Sequence, residues 1–168
     1  MEPLLERALR EAQSLLFLCS GNMVRSAFAE LYARHRRCPL PVSSAATRFR
    51  NDHMLTETAY ALRARGVSQV AIDEFRPRHL ADLRDELGPR TVALAMSEEH
   101  LAALRTHAGL RARGFLLEGV LGCAWEIPDP VLEGAEFDST FERLERCVDA
   151  LVLFLETRRP SAPGDAAR

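Results

Sequence analysis

"LLFLCSGNMVRSAFAELYARH", residues 15 to 35, runs from an apolar stretch through a short loop into a segment of helical period. Extended by one residue, "SLLFLC" (14–19) has the length and composition of a strand buried on both faces, the kind that parallel sheets use. "SAFAELYARHRR" (26–37) offers Phe28, Leu31 and Tyr32 to one helical face and gathers arginines at its C-terminal end, where the helix dipole favours cations. The first unit is therefore strand, loop, helix.

The pattern repeats along the chain. "LPVSSAAT" (40–47) reads as a second strand, "TETAYALRARG" (56–66) as a helix ended by Gly66, and "RPRHLADLRDEL" (76–87) as a helix that begins near Pro77 and stops before Gly88 and Pro89. "TVALAMS" (91–97) is a strand, "EEHLAALRTH" (98–107) a helix, and "GFLLEGV" (114–120) a short strand. "DSTFERLERCVDALVLFLETR" (138–158) is a long closing helix capped by Asp138 or Ser139. Strands alternating with helices predict an α/β fold, a doubly wound parallel sheet covered on both faces. Residues 1–12 read as an N-terminal helical extension, 13–158 as one domain, and 159–168 as a small, polar, frayed tail.

In such a sheet ligands collect at the carboxyl ends of the strands, and Cys19 stands at one of them. The amides of "SGNMVR" can converge on a concavity, and the following helix adds the positive end of its dipole, which together make an anion site. Gly21 and Asn22 both tolerate the left-handed conformation that would fold those amides inward. A thiol in this cradle beside Arg25 lies where the nucleophilic thiolate is favoured, and Arg25 offers a planar fork to two oxygens of a tetrahedral oxyanion. Ser26 is placed to donate a hydrogen bond to the sulfur. The stretch reads as a holder for phosphate, or a near analogue, with a nucleophile beneath it.

Displacing an alkoxide or phenoxide from phosphorus needs a proton donor for the leaving oxygen. "EIPDPVLEG" (126–134) sets Asp129 between two prolines in a rigid loop, where one carboxyl group can serve first as acid and then as base toward water.

Taken together, "CSGNMVRSAFAE" (19–30), "SSAAT" (43–47), "FRPRHL" (75–80), "ALAMSEEHL" (93–101) and "IPDPVLEG" (127–134) resemble, in order, the motifs of the low-molecular-weight protein tyrosine phosphatases. The resemblance implies a four-stranded parallel sheet with helices on both faces, a Rossmann-like three-layer sandwich. It implies Cys19 as nucleophile, with Arg25 and the loop Ser20, Gly21, Asn22, Met23, Val24 and Ser26 binding the phosphoryl group. Asp129 would be the general acid and base, and Asn22, Ser26 and Ser44 would brace the loop.

Departures from the family pattern fall in four places. Val24 replaces the second loop cysteine, so an intraloop disulfide cannot form. Phe75 stands where a histidine often supports the loop asparagine, and Ala27 replaces the proline common after the Arg-Ser pair. Val131 and Leu132 follow Asp129-Pro130 where an aromatic residue commonly flanks the substrate ring. Met23, Phe49 and Val131 are the candidate pocket walls. The expected substrate is phosphotyrosine in a protein, or a small aryl phosphate, with inorganic phosphate as product. Three alternatives stay open: a protein-arginine phosphatase, an arsenate reductase-like oxyanion enzyme, and a phosphoanion-binding module without turnover. Met23 resembles the bulky residue of the tyrosine enzymes more than the threonine of the arginine enzymes, and "ALAMSEEHLAAL" lacks the cysteines of a reductase relay.

Composition narrows the setting. In 168 residues, 22 basic against 24 acidic side chains give a net charge of -2, without the positive excess of a nonspecific nucleic-acid binder. Every basic residue other than histidine is arginine. No stretch approaches the roughly 20 apolar residues of a membrane span and the start is not a secretory signal, so the expectation is a cytoplasmic protein with no membrane or nucleic-acid partner. Cys19, Cys38, Cys123 and Cys147 form no CxxC pair, and His35, His53, His79, His100 and His107 show no metal-ligand spacing. Neither a metal nor an organic cofactor is expected, and Trp125 is expected to pack beneath the acid loop.

Overall fold

Strand β1, Ser14–Cys19, buries five consecutive residues because it lies inside the sheet, with neighbours on both edges and helices above and below. The structure is a computed structural model and describes residues 1–83, 85–107 and 112–157. β2 (Val42–Ala46), β3 (Thr91–Ala95) and β4 (Arg113–Leu116) complete a parallel sheet in the order β2-β1-β3-β4. Leu18 is in register with Ala45 on one side and Ala95 on the other, which brings the carboxyl ends of three strands level with Cys19. The chain turns one way from β1 to β2 and crosses back to β3, so Cys19 sits at the topological switch point.

Alternation along the strands divides the core. Leu15, Phe17 and Cys19 face a layer of helices α1 (Pro3–Glu11), α2 (Arg25–His35), α3 (Thr56–Ala64) and α6 (Phe137–Thr157). Leu16 and Leu18 face Leu101 and Leu104 of α5 (Glu98–Thr106), together with Leu80 and Leu83. The expected three-layer arrangement with a four-stranded parallel sheet is the one observed. α1 belongs to the packing: Leu5, Ala8 and Leu9 are fully buried, and the Glu2 amide donates to the Gly119 carbonyl at 2.8 Å.

Several elements differ from the sequence reading. "RPRHLADLRDEL" is not an α-helix. The Arg78 carbonyl accepts from the Ala46 amide at 2.7 Å, His79 bridges to Ala46, and only Leu80–Leu83 coil, as a 3-10 turn. Leu80 and Leu83 are buried three residues apart, a spacing that a 3-10 turn satisfies as well as an α-helix does. A short helix, α4 (Gln69–Glu74), lies between α3 and the 3-10 turn where no helix is expected, and Ser68 caps it by accepting from the Ala71 amide. The stretch after β4 leaves the sheet at Leu116 and coils as a second 3-10 turn, Leu117–Leu121. α6 begins at Phe137, ahead of the expected caps, so Asp138 and Ser139 lie inside it and the Glu136 carbonyl accepts from the Thr140 amide. Arg158 and the expected tail, 159–168, lie outside the described residues. No described helix is long and apolar enough to cross a membrane.

Candidate active site

The loop from Cys19 to Ser26 turns its carbonyls outward. The Ser20 carbonyl accepts from the Arg48 and Phe49 amides, the Gly21 carbonyl from Asn51 Nδ2 at 2.8 Å, and the Met23 carbonyl from the Leu55 amide and Thr58 Oγ1. The Val24 carbonyl accepts from the Phe28 amide in the first turn of α2. Because a trans peptide is planar with C=O and N–H opposed, each outward carbonyl aims the next amide inward. The N–H groups of Gly21, Asn22, Val24 and Arg25 therefore point away from these partners, and the Asn22 amide lies 3.2 Å from Cys19 Sγ.

Asn22 makes the turn possible. Its φ of 54° is left-handed, a conformation that asparagine tolerates among non-glycine residues. Gly21 is not left-handed, contrary to the sequence reading. Its role is close approach: a Cβ there would stand 3.1 Å from Asn51 Nδ2. Asn22 Nδ2 donates to Ser26 Oγ at 2.8 Å and to Ser44 Oγ at 2.7 Å, while its Oδ1 accepts from the Arg78 amide at 2.8 Å. The side chain is thus held on both ends without a histidine at position 75, where Phe75 is buried.

The hydrogen-bond chain has a direction. Ser44 Oγ donates to the buried carboxyl of Glu30, whose other oxygen meets Arg34 Nη2 at 2.5 Å. Asn22 Nδ2 can only donate, and the Asn22 side chain is fixed by its Oδ1 on the Arg78 amide, so Ser44 and Ser26 both accept from it; Ser44 gives its own proton to Glu30, and Ser26 keeps its own for Cys19 Sγ at 2.9 Å. Burial raises the Glu30 pKa, against the pull of Ser44 and Arg34. The chain reading did not single out Glu30, although an acid inside the apolar run "AFAELYA" signals a buried partner.

Arg25, 2% exposed, opens α2. Its Nη1 donates to the Ile127 carbonyl at 2.8 Å, and its Nη2 pairs with Asp129 Oδ2 and reaches Ser20 Oγ at 3.4 Å. Asp129 Oδ1 accepts from the Val131 amide at 2.9 Å and the Leu132 amide at 3.3 Å, which fixes the carboxyl plane. The acid loop is moored to the sheet by the Ile127 amide on the Met96 carbonyl, just past β3. Residues 104 positions apart in sequence order thus meet because both follow strands that end at the same edge.

A cavity of about 120 Å³ opens over Cys19, bounded by the loop, Asp129, Asn51 and apolar walls of Met23, Phe49, Leu55, Val131 and Leu132. The three candidate walls Met23, Phe49 and Val131 all line it, and Leu55 and Leu132 join them. Trp125 does not pack beneath the acid loop. It is 68% exposed, with the Arg143 guanidinium over its ring, because the chain from Gly122 to Glu126 runs over the surface.

His100, on the first turn of α5, is the side chain that reading the chain for metal spacing overlooked. It is 1% exposed, with Nε2 3.0 Å from Ser20 Oγ and Nδ1 2.9 Å from Ser97 Oγ. Burial, and then the Arg25 charge, push its pKa down to about 4. The signal in sequence was the Ser-x-x-His step directly after the third strand. Of the four cysteines, all free, Cys147 is buried in α6 and its thiol is pushed up to about 12 by that burial. Among the described residues no three His, Cys, Asp or Glu side chains cluster to hold a metal ion.

Comparison with known proteins agrees with this architecture. Residues 14–160 match the family described as low molecular weight phosphotyrosine protein phosphatase. No curated protein matches the chain. Among solved structures, YfkJ from Bacillus subtilis superposes with a TM-score of 0.73 at 22% identity, over 89% of this chain and 98% of that one. The YwlE arginine phosphatase from Geobacillus stearothermophilus gives 0.70 at 24% identity, over 86% and 94%. The tyrosine phosphatase Wzb from Escherichia coli, solved in complex with sulphate, gives 0.70 at 24%, over 86% and 99%. At these identities the likeness speaks for the fold.

Proposed function

Since the chain belongs to the low molecular weight phosphotyrosine protein phosphatase family, we propose that it hydrolyses phosphotyrosine in proteins through a cysteinyl-phosphate on Cys19, with Asp129 as general acid and base. Membership makes it a cysteine-based phosphatase that acts on phosphorylated protein and yields phosphate. The observation that carries the residue assignment is the convergence on one sulfur: the Asn22 amide and the directed Ser26 hydroxyl on Cys19 Sγ, with Arg25 and Asp129 paired at the mouth of the same loop.

In the first step the Cys19 sulfur attacks phosphorus. The S–P bond forms, the bond to the tyrosine oxygen breaks, and that oxygen takes a proton from Asp129. The inward amides and Arg25 hold the equatorial oxygens as charge redistributes on them. A phosphoryl dianion in the loop competes with Asp129 for Arg25, so substrate binding releases Oδ2 from the ion pair and lets it carry the proton. In the second step Asp129 takes a proton from water, the water oxygen attacks phosphorus, and the S–P bond breaks to return thiolate and phosphate. The Ser26 hydroxyl stabilises the sulfur anion each time it leaves.

The pocket favours an uncharged leaving group. Among the described residues Asp129 is the only carboxylate lining the cavity, and before substrate binds its two oxygens are taken by the Val131 and Leu132 amides and by Arg25. A guanidinium would enter among Met23, Phe49, Leu55 and Leu132 with only Asp129, the group that must also carry the proton, as acid partner, whereas an aryl ring meets apolar surface. The test is metal-free hydrolysis of p-nitrophenyl phosphate, a phosphotyrosine peptide and phosphoarginine side by side, with Cys19→Ser as control. Cys19-dependent turnover with phosphotyrosine preferred is expected. Preference for phosphoarginine would overturn the substrate reading, and folded protein that binds vanadate without turnover would overturn the mechanism.

A further inference from the structure

Arg25 can only donate hydrogen bonds, and that fact propagates outward from the loop. Its Nη2 donates to Ser20 Oγ at 3.4 Å, which leaves the Ser20 hydroxyl its own proton to give elsewhere. The neighbour on its other side is His100 Nε2 at 3.0 Å. An accepting Nε2 leaves the ring proton on Nδ1, which then donates to Ser97 Oγ at 2.9 Å. Ser20, Arg25 and His100 are all buried, at 6%, 2% and 1% exposure.

We propose that His100 is a positioning residue for Arg25, acting through Ser20 as the neutral Nδ1–H tautomer and so tying the guanidinium to the first turn of α5. The arrangement has a physical purpose. The Asp129 pair and the Ile127 carbonyl both hold Arg25 from the acid-loop side, and the first of these is given up to the phosphoryl group in the mechanism above. Ser20 and His100 hold the same Nη2 from α5, and keep the guanidinium in place while its other partner changes. Burial first, and then the positive charge of Arg25, disfavour an imidazolium at this position, and an imidazolium would also put a donor where Ser20 donates. The inference rests on the reading of Arg25 as the phosphate-binding arginine.

The experiment combines spectroscopy on the unaltered protein with a coupled set of variants. Long-range nitrogen–proton NMR of the full chain at neutral pH should place the His100 proton on Nδ1, the tautomer less common in free histidine. His100→Leu and Ser20→Ala should each lower kcat/KM for p-nitrophenyl phosphate, and weaken inhibition by inorganic phosphate, by roughly 2- to 10-fold, the worth of one hydrogen bond. The double variant should lose no more than either single one, since both break the same link. His100→Gln, which can still accept from Ser20, should recover most of the loss and decides the matter if His100→Leu does not fold. An Nε2–H tautomer, additive losses, or a glutamine variant no better than leucine would each overturn the proposal. Arg25→Lys separates the two levels: if it leaves phosphate inhibition intact, the reading of the site itself fails, and if it abolishes inhibition while His100 and Ser20 variants change nothing, only this inference does.

Discussion

Replacing His100 with glutamine should remove a defined part of the protein's acid sensitivity, and the size of that part follows from the structure. His100 is buried between Ser97, Ser20 and Arg25, and its pKa falls from 6.5 to about 4. The folded protein thus keeps the ring neutral over a range where the unfolded chain protonates it. A depressed folded pKa contributes stability that is fully present above pH 6.5 and is lost as pH falls through the window down to about 4. At 1.36 kcal/mol per unit, the whole window is worth roughly 3 kcal/mol, lost at about 1.4 kcal/mol per pH unit between the two values. Glutamine keeps a hydrogen-bond acceptor toward Ser20 and does not titrate, so the difference between the two proteins isolates the imidazole. Glu30 and every other carboxyl are common to both and cancel. Urea denaturation followed by far-UV circular dichroism, in steps from about pH 7.5 to about pH 4.5, reads the effect directly. The stability advantage of the natural protein over His100→Gln should shrink by roughly 2 to 3 kcal/mol across that range. Parallel pH profiles for the two proteins would show that His100 titrates alike in both states and would refute the reasoning.

Three further outcomes follow from named contacts. Asp129→Asn keeps an oxygen for the Val131 and Leu132 amides but cannot donate a carboxyl proton, so turnover of phosphotyrosine peptide should fall about 10²- to 10³-fold, and that of aryl phosphates with acidic phenols far less; an equal loss across a leaving-group series would count against its acid role. Glu30 has the opposite sign to His100: its raised pKa gives stability that is present below 4.5 and lost as pH rises through the folded value, so Glu30→Gln should compare more favourably with the natural protein at neutral than at acid pH. A pH-independent difference in Tm would contradict this. Leu9→Ala, at a fully buried position on α1, should cost about 2 to 4 kcal/mol of stability with kcat retained, as measured by denaturation and p-nitrophenyl phosphate turnover; an unchanged Tm would mean that α1 is not part of the core.

How much was legible in the chain depended on how local the cause was. The strand at 14–19 could be read because burial on both faces demands an unbroken apolar run, and the run is contiguous. α4 announced itself through the Ser68 cap, a signal that lies within one turn and was passed over. The segment 76–87 misled for a physical reason. Its buried leucines recur at three, but the Arg78 backbone is claimed by Asn22 and Ala46, partners more than 30 residues away, and a chain pinned at both its N–H and its C=O cannot also close a helical turn there.

The same distinction runs through the site. Residue types at close spacing, Cys19, Asn22, Arg25 and Ser26 around one turn, and Asp129 locked between prolines, carry their chemistry in the sequence because one loop conformation positions them together. That Ser44 faces Asn22, that Glu30 takes the Ser44 proton, that Arg25 pairs with Asp129, and that His100 stands behind Ser20 were decided only when strands β1, β2 and β3 came level at one edge. A hydrogen bond's direction depends on every partner along it, and those partners come from separate helices and loops. Spacing along the chain records which groups are available, and folding decides which of them meet in a place without water.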